Sequence, residues 1–153
     1  MKKFLIFAVL AALLLTAAGC GNKAEAALDG EALVKALLSS EAFSQKLEEL
    51  PSSKATAFYG IDASLLQTTY LYHASGISKE QIAVLRAVDE TAAKGIVPLL
   101  QMQLDGWIEA DRDYAPEEVP KLEKAVLRQS GEWVILAVAN DPAEAARTVG
   151  EYI

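Results

Sequence analysis

Residues 132–139 read Glu132-Trp133-Val134-Ile135-Leu136-Ala137-Val138-Ala139. Both alternating sets of a two-residue period are apolar after Glu132: Trp133, Ile135, Ala137 and Ala139 on one side, Val134, Leu136 and Val138 on the other. A strand with one wet face alternates apolar and polar side chains. This one needs cover on both faces and so belongs in the interior of a sheet. Ser130-Gly131 supplies a turn just before it, and residues 124–129 form a preceding strand, which makes a hairpin. Upstream, residues 68–75 (TTYLYHAS) and 81–88 (QIAVLRAV) flank the turn 76–79 and give a second hairpin.

Helical signals surround these hairpins. Asp141-Pro142-Ala143-Glu144 places an Asp cap, a Pro at the first helical position and a Glu at the third. Asp29 caps a helix through Ser39, with Leu33/Leu37 and Val34/Leu38 as its stripe. Phe43, Leu47 and Leu50 share one face of a short helix predicted over 41–50, which Pro51-Ser52-Ser53 ends. Asp89 opens a longer helix carrying Ala93, Ile96, Leu100, Leu104 and Trp107, with Pro98 predicting a kink or a late start. Gly60 predicts a tight turn after Tyr59. The expectation is one α+β domain over residues 29–153. Its sheet is mostly antiparallel and four-stranded, two hairpins packed with helices in the order ααββαββα.

The first twenty residues carry a different signal. Lys2-Lys3 is a basic start, residues 4–15 are an unbroken apolar run, and Thr16-Ala17-Ala18-Gly19 leads small residues up to Cys20. The run is too short for a stop-transfer helix and fits a secretory signal. Small residues ahead of a cysteine at this distance form a lipoprotein signal, with cleavage after residue 19 and lipidation of Cys20. Two or more acyl chains hold a protein on a bilayer where one is marginal. Residues 20–28 then form the lipidated cysteine and a short polar tether. The expected location is the outer face of the cell membrane.

Composition agrees with that assignment. The chain has 153 residues, 14 Lys+Arg, 21 Asp+Glu, one His and one Cys, for a formal charge of −7. Its mean hydropathy of +0.20 owes much to the signal segment. Removing residues 1–19 takes two lysines and no acid, so the charge falls to −9. Clustered Lys and Arg, which phosphate backbones require, are missing, and nucleic acid is excluded as a partner. A single Cys excludes an internal disulfide, and one His with one Cys excludes the usual zinc sites. No cofactor is expected, because no phosphate-binding Gly loop or dinucleotide fingerprint is present.

Tyr59-Gly60-Ile61-Asp62, Glu80-Gln81-Ile82-Ala83-Val84, residues 114–122 (YAPEEVPKL) and residues 131–136 (GEWVIL) follow one another behind the lipobox. In that order and spacing the chain resembles a family of small bacterial lipoproteins, mostly from Firmicutes, that carry one domain of unknown function. The resemblance runs over residues 30–153. Such proteins tend to carry an Arg near Gln101 or Gln103 and an aromatic near Asp111, and this chain has neither. The resemblance implies a location and a fold. The family has no established activity, so no catalytic residue is carried over.

Three groups of residues are candidates for chemistry. His73 is the only imidazole and could act as a general base beside a hydroxyl, but no nucleophile motif accompanies it. Asp105, Glu109, Asp111, Asp113, Glu117 and Glu118 form the densest charge feature. They lack the order of a calcium loop and read as a solvated acidic face, so no metal is expected. Tyr59, Tyr70, Tyr72, Trp107, Tyr114 and Trp133 could line a ligand groove, since Tyr and Trp join large apolar area to a polar tip. The function expected is a non-enzymatic, lipid-anchored binding or accessory module, held to the membrane at Cys20 and engaging an envelope protein or ligand. The alternative is an envelope hydrolase using carboxylates or His73.

Overall fold

The computed structural model describes residues 27–153. The expected signal peptide, Cys20 and most of the tether fall on residues 1–26, outside the described residues. In chain order the elements are α1 (Gly30–Ser39), β1 (Leu47–Leu50), α2 (Lys54–Tyr59), a 3-10 turn (Ala63–Leu65), β2 (Leu66–Ala74), β3 (Gln81–Ala87), α3 (Glu90–Tyr114), α4 (Val119–Glu123), β4 (Val126–Ser130), β5 (Trp133–Val138) and α5 (Pro142–Gly150). The fold is α+β with an antiparallel sheet. That sheet has five strands in the order β1-β2-β3-β5-β4, not four.

β5 lies between β3 and β4, and its two side-chain sets enter two separate cores. Val134, Leu136 and Val138 join Leu71, Leu85, Ile96 and Leu100 on the face covered by α2, α3 and α4. Ile135 and Ala137 join Leu33, Leu37, Ile82, Val84 and Val149 on the face covered by α1 and α5. The result is three layers, helices on both sides of one sheet. Each fully buried Leu or Ile stabilises it by about 1.5–3 kcal/mol. Gly76 and Gly131 take positive φ, 73° and 53°, in the two hairpin turns, where a Cβ would be strained.

The helix starts obey local chemistry. Asp29 accepts from the Ala32 N–H at 3.0 Å, and Asp89 from the Ala92 N–H at 2.7 Å. Asp141 accepts from the Ala143 and Glu144 N–H groups, both at 3.0 Å. Each satisfies amides that the first helical turn leaves unpaired. Gly30 serves a different purpose. A Cβ there would lie 2.4 Å from the Trp133 ring, so α1 reaches the sheet only because this position has no side chain.

Three expectations need correction. Residues 41–50 are not a helix: Leu47–Leu50 is edge strand β1, paired with β2 from Leu47↔Ala74 to Leu50↔Leu71. The short helix comes later, as α2, and ends at Gly60 in the left-handed region with φ 67°. Of the two alternatives at Pro98, the late start is ruled out, because α3 runs through it from Glu90 to Tyr114. Pro98 is exposed, so the hydrogen bond it cannot donate to Lys94 lies on the wet side of the helix, where water can serve that carbonyl. The added α4 and β1 change the expected element order to αβαββααββα. Among the described residues no helix is long and apolar enough to cross a membrane.

Candidate functional site

The sheet face under α3 ends in a half-open cleft of about 420 Å³ beside edge strand β1. Its floor is His73 and Gln81, neighbours across the β2–β3 ladder. Tyr59, fully buried at the end of α2, reaches under both. The apolar wall is Leu50, Phe58 and Trp107; Glu48, Ser78 and Lys79 stand among the polar lining. Phe58 lies over the His73 ring with centroids 4.7 Å apart, and Trp107 meets Tyr59 edge-on at 6.0 Å.

The hydrogen bonds of the floor fix its protonation. The Gln81 amide nitrogen donates to the Lys79 carbonyl at 3.2 Å, which turns its oxygen towards Tyr59. The Tyr59 hydroxyl gives its one proton to that oxygen at 2.7 Å. The 2.9 Å contact between Tyr59 and His73 Nε2 must then run from an imidazole N–H to the hydroxyl oxygen. Burial raises the Tyr59 pKa well above its ordinary value and pushes His73 down to about 4. At neutral pH the imidazole is therefore uncharged and a weak base, and the phenol keeps its proton.

This has a consequence for stability. The ordinary His value is 6.5 and the folded value about 4, so between them the unfolded chain binds a proton that the folded one does not. Stability is complete above the upper value and falls as pH drops towards the lower one. Because the ring is partly exposed, the loss should be only about 1 kcal/mol. Urea unfolding at a series of pH values should show this decline, and His73→Gln, which keeps a donor for Tyr59, should flatten it. An equal decline in the variant would remove His73 as the cause.

Beside the cleft lies a buried ionic network. Glu80 is 1% exposed. It accepts from the Ser44 N–H at 2.8 Å, the Gln45 N–H at 3.0 Å, the Ser44 hydroxyl, and Lys121 Nζ at 3.0 Å. Lys121 also donates to Glu118 at 2.9 Å, and Glu118 accepts from the Lys79 N–H at 2.8 Å. Lys79 Nζ stands 3.2 Å from Asp111 as an ion pair without hydrogen-bond alignment. Burial works against the charge on Glu80, but the bonds from Ser44, Lys121 and Gln45 outweigh it and hold the carboxyl below its ordinary range. The network ties the segment before β1, the β2–β3 turn, α3 and α4 together.

The acidic stretch thus divides. Asp105, Glu109, Asp113 and Glu117 are exposed as expected, whereas Asp111 and Glu118 are buried in this network, at 3% and 6% exposure. The aromatic candidates divide as well. Tyr59 and Trp107 meet at the cleft. Tyr70, Tyr72 and Trp133 pack against the opposite core, under α1 and α5. Tyr114, the last residue of α3, is 75% exposed. Phe58, Gln81 and Glu80 join the site without having been expected there. Only the quoted stretches containing Gln81 and Glu80 drew attention to them. Among the described residues no group of three or more His, Cys, Asp or Glu is placed to hold a metal.

Residues 40–139 match the family described as Domain of unknown function (DUF4358), and the chain belongs to it. The match takes in the whole sheet, the cleft, the ionic network and helices α2 to α4. It leaves out α1 and α5, the two helices of the opposite face. No curated protein and no solved structure matches the chain.

Proposed function

We propose that this chain is a lipid-anchored, non-enzymatic binding module of the bacterial cell envelope, tethered at Cys20 and engaging its ligand at the cleft beside β1. The observation that carries the site is the pairing of an open aromatic wall, Phe58 and Trp107, with a floor whose protons are committed. A hydrolase needs a base poised near the working pH and a nucleophile within its reach. Here the imidazole N–H is held by a protonated tyrosine, and burial keeps the ring a weak base. Apolar wall and polar rim suit recognition, which asks for area and fixed donors but no proton transfer.

The anchor is supported by residues 1–20 alone. Its test is fractionation of cells making the wild-type chain or Cys20→Ser. The wild type should sediment with membranes, and the variant should move to the soluble exported fraction. A membrane-bound variant would end the lipid-anchor reading. The binding reading separates from the hydrolase alternative by mutation. Phe58→Ala should weaken ligand capture while His73→Gln leaves it largely intact. A hydrolytic activity abolished by His73→Gln would favour the alternative.

A further inference from the structure

We infer that the ligand is an extended polypeptide segment that adds to the free edge of β1 as a sixth strand, with two adjacent basic residues flanked by apolar ones. This deepens the binding reading above and rests on it. Among the described residues the sheet order leaves β1 at one edge, bonded to β2 alone. The outward groups of β1 follow from the ladder. The Ala74 N–H donates to the Glu80 carbonyl on the β3 side. Alternation turns the backbone groups of His73 and Leu71 towards β1, and those of their partners Glu48 and Leu50 back towards β2. Leu47 and Glu49 are left with N–H and C=O pointing away from the sheet, the template that strand addition uses.

Both faces of this edge have somewhere to put side chains. Glu48 and Leu50 look onto the cleft with Phe58 and Trp107. Leu47 looks onto a second groove of about 330 Å³ on the opposite face, with Leu38 and Phe43. Side chains of an added strand alternate between faces every residue, so they would enter cleft and groove in turn. The other edge, β4, contributes no residue to either hollow.

Charge selects the occupant. β1 reads Leu-Glu-Glu-Leu, with Glu48 and Glu49 exposed and Leu47 and Leu50 half-buried. A second copy pairing antiparallel with its own β1 would bring glutamates opposite glutamates, which is destabilising. A partner with Lys or Arg opposite Glu48 and Glu49, and apolar residues opposite Leu47 and Leu50, satisfies every position. That pattern, apolar-basic-basic-apolar, is the same read in either direction, so it suits parallel or antiparallel addition. Lys46 lies just outside these four positions and Lys79 is engaged by Asp111, so neither opposes a basic partner within them.

The test is fluorescence anisotropy of the detergent-purified full chain with a labelled peptide Thr-Leu-Lys-Lys-Leu-Thr, and with the same peptide carrying Glu-Glu in the centre. The basic peptide should bind at least about tenfold more tightly than the acidic one. Glu49→Pro removes an outward donor from an edge position that tolerates proline, and should weaken the basic peptide by about tenfold or more. The double change Glu48→Lys with Glu49→Lys leaves every backbone donor in place and should reverse the preference, which decides the matter if the proline variant melts. The inference is overturned if the wild type binds neither peptide, if both bind alike, if the chain instead dimerises through β1, or if the charge reversal changes nothing. If Phe58→Ala weakens capture of the cellular ligand while Glu49→Pro does not, the cleft stands and strand addition fails. If neither does, both fail.

Discussion

Lys121→Met is expected to lower the unfolding free energy by about 3–5 kcal/mol, the cost of leaving a buried charge without its partner. The methionine fills the volume of the lysine stem, so packing alone predicts a small effect. The loss is electrostatic: the Glu80 side chain is fully buried and Glu118 nearly so, and Lys121 is the cation that both carboxylates share. Two companion measurements isolate the cause. Adding Glu80→Gln to Lys121→Met should recover part of the loss, because the uncompensated charge is gone. Acidification should do the same, since a protonated Glu80 needs no counter-ion. Urea unfolding that shows under 1 kcal/mol of change in Lys121→Met would mean that Ser44 and Gln45 hold Glu80 unaided.

The second large effect belongs to β5. Leu136→Ala and Ile135→Ala should each destabilise by about 2–4 kcal/mol, because the first opens a hole under α3 and the second under α1 and α5. Neighbours on a strand ordinarily differ sharply in such a test, one facing the core and one facing water. Comparable losses at both positions would establish the three-layer arrangement in solution. A loss at Leu136 with none at Ile135 would show that α1 and α5 do not cover the sheet.

Much of this fold was legible because its signals are local. Asp29, Asp89 and Asp141 cap the helices they were expected to cap, and the double apolar period of residues 133–138 does mark an interior strand. β1 imitates a helix in its sequence for a physical reason. Phe43, Leu47 and Leu50 sit at helical spacing, yet Leu47 enters one core and Leu50 the other. Four residues are too few for a two-residue period to announce itself, and what makes them a strand is pairing with β2. α2 and α4, of six and five residues, are likewise too short to show a stripe.

The candidate site was less legible than the fold. His73 and Tyr59 are fourteen positions apart, and their meeting depends on α2 folding back over β2. Asp111 and Glu118 looked like surface acids because their lysines, Lys79 and Lys121, reach them only through the tertiary fold or one turn of a helix too short to anticipate. Tyr70, Tyr72 and Trp133 were plausible groove residues until the strand register turned them to the face under α1. Gln81 carried no signal of its own beyond its place in the Glu80-Gln81 pair.

The proposed function rests on the cleft being the surface that engages a ligand. A photo-reactive phenylalanine analogue in place of Phe58, irradiated in living cells, tests that most directly. Phe58 is part of the cleft wall and 37% exposed; Met102, 66% exposed on α3 and outside the cleft, serves as the control position. A discrete covalent adduct from position 58 and none from position 102 is the expected result, and under the proposed lipid anchor that adduct should be lost in Cys20→Ser. Equal labelling from both positions, or none from position 58, would contradict it.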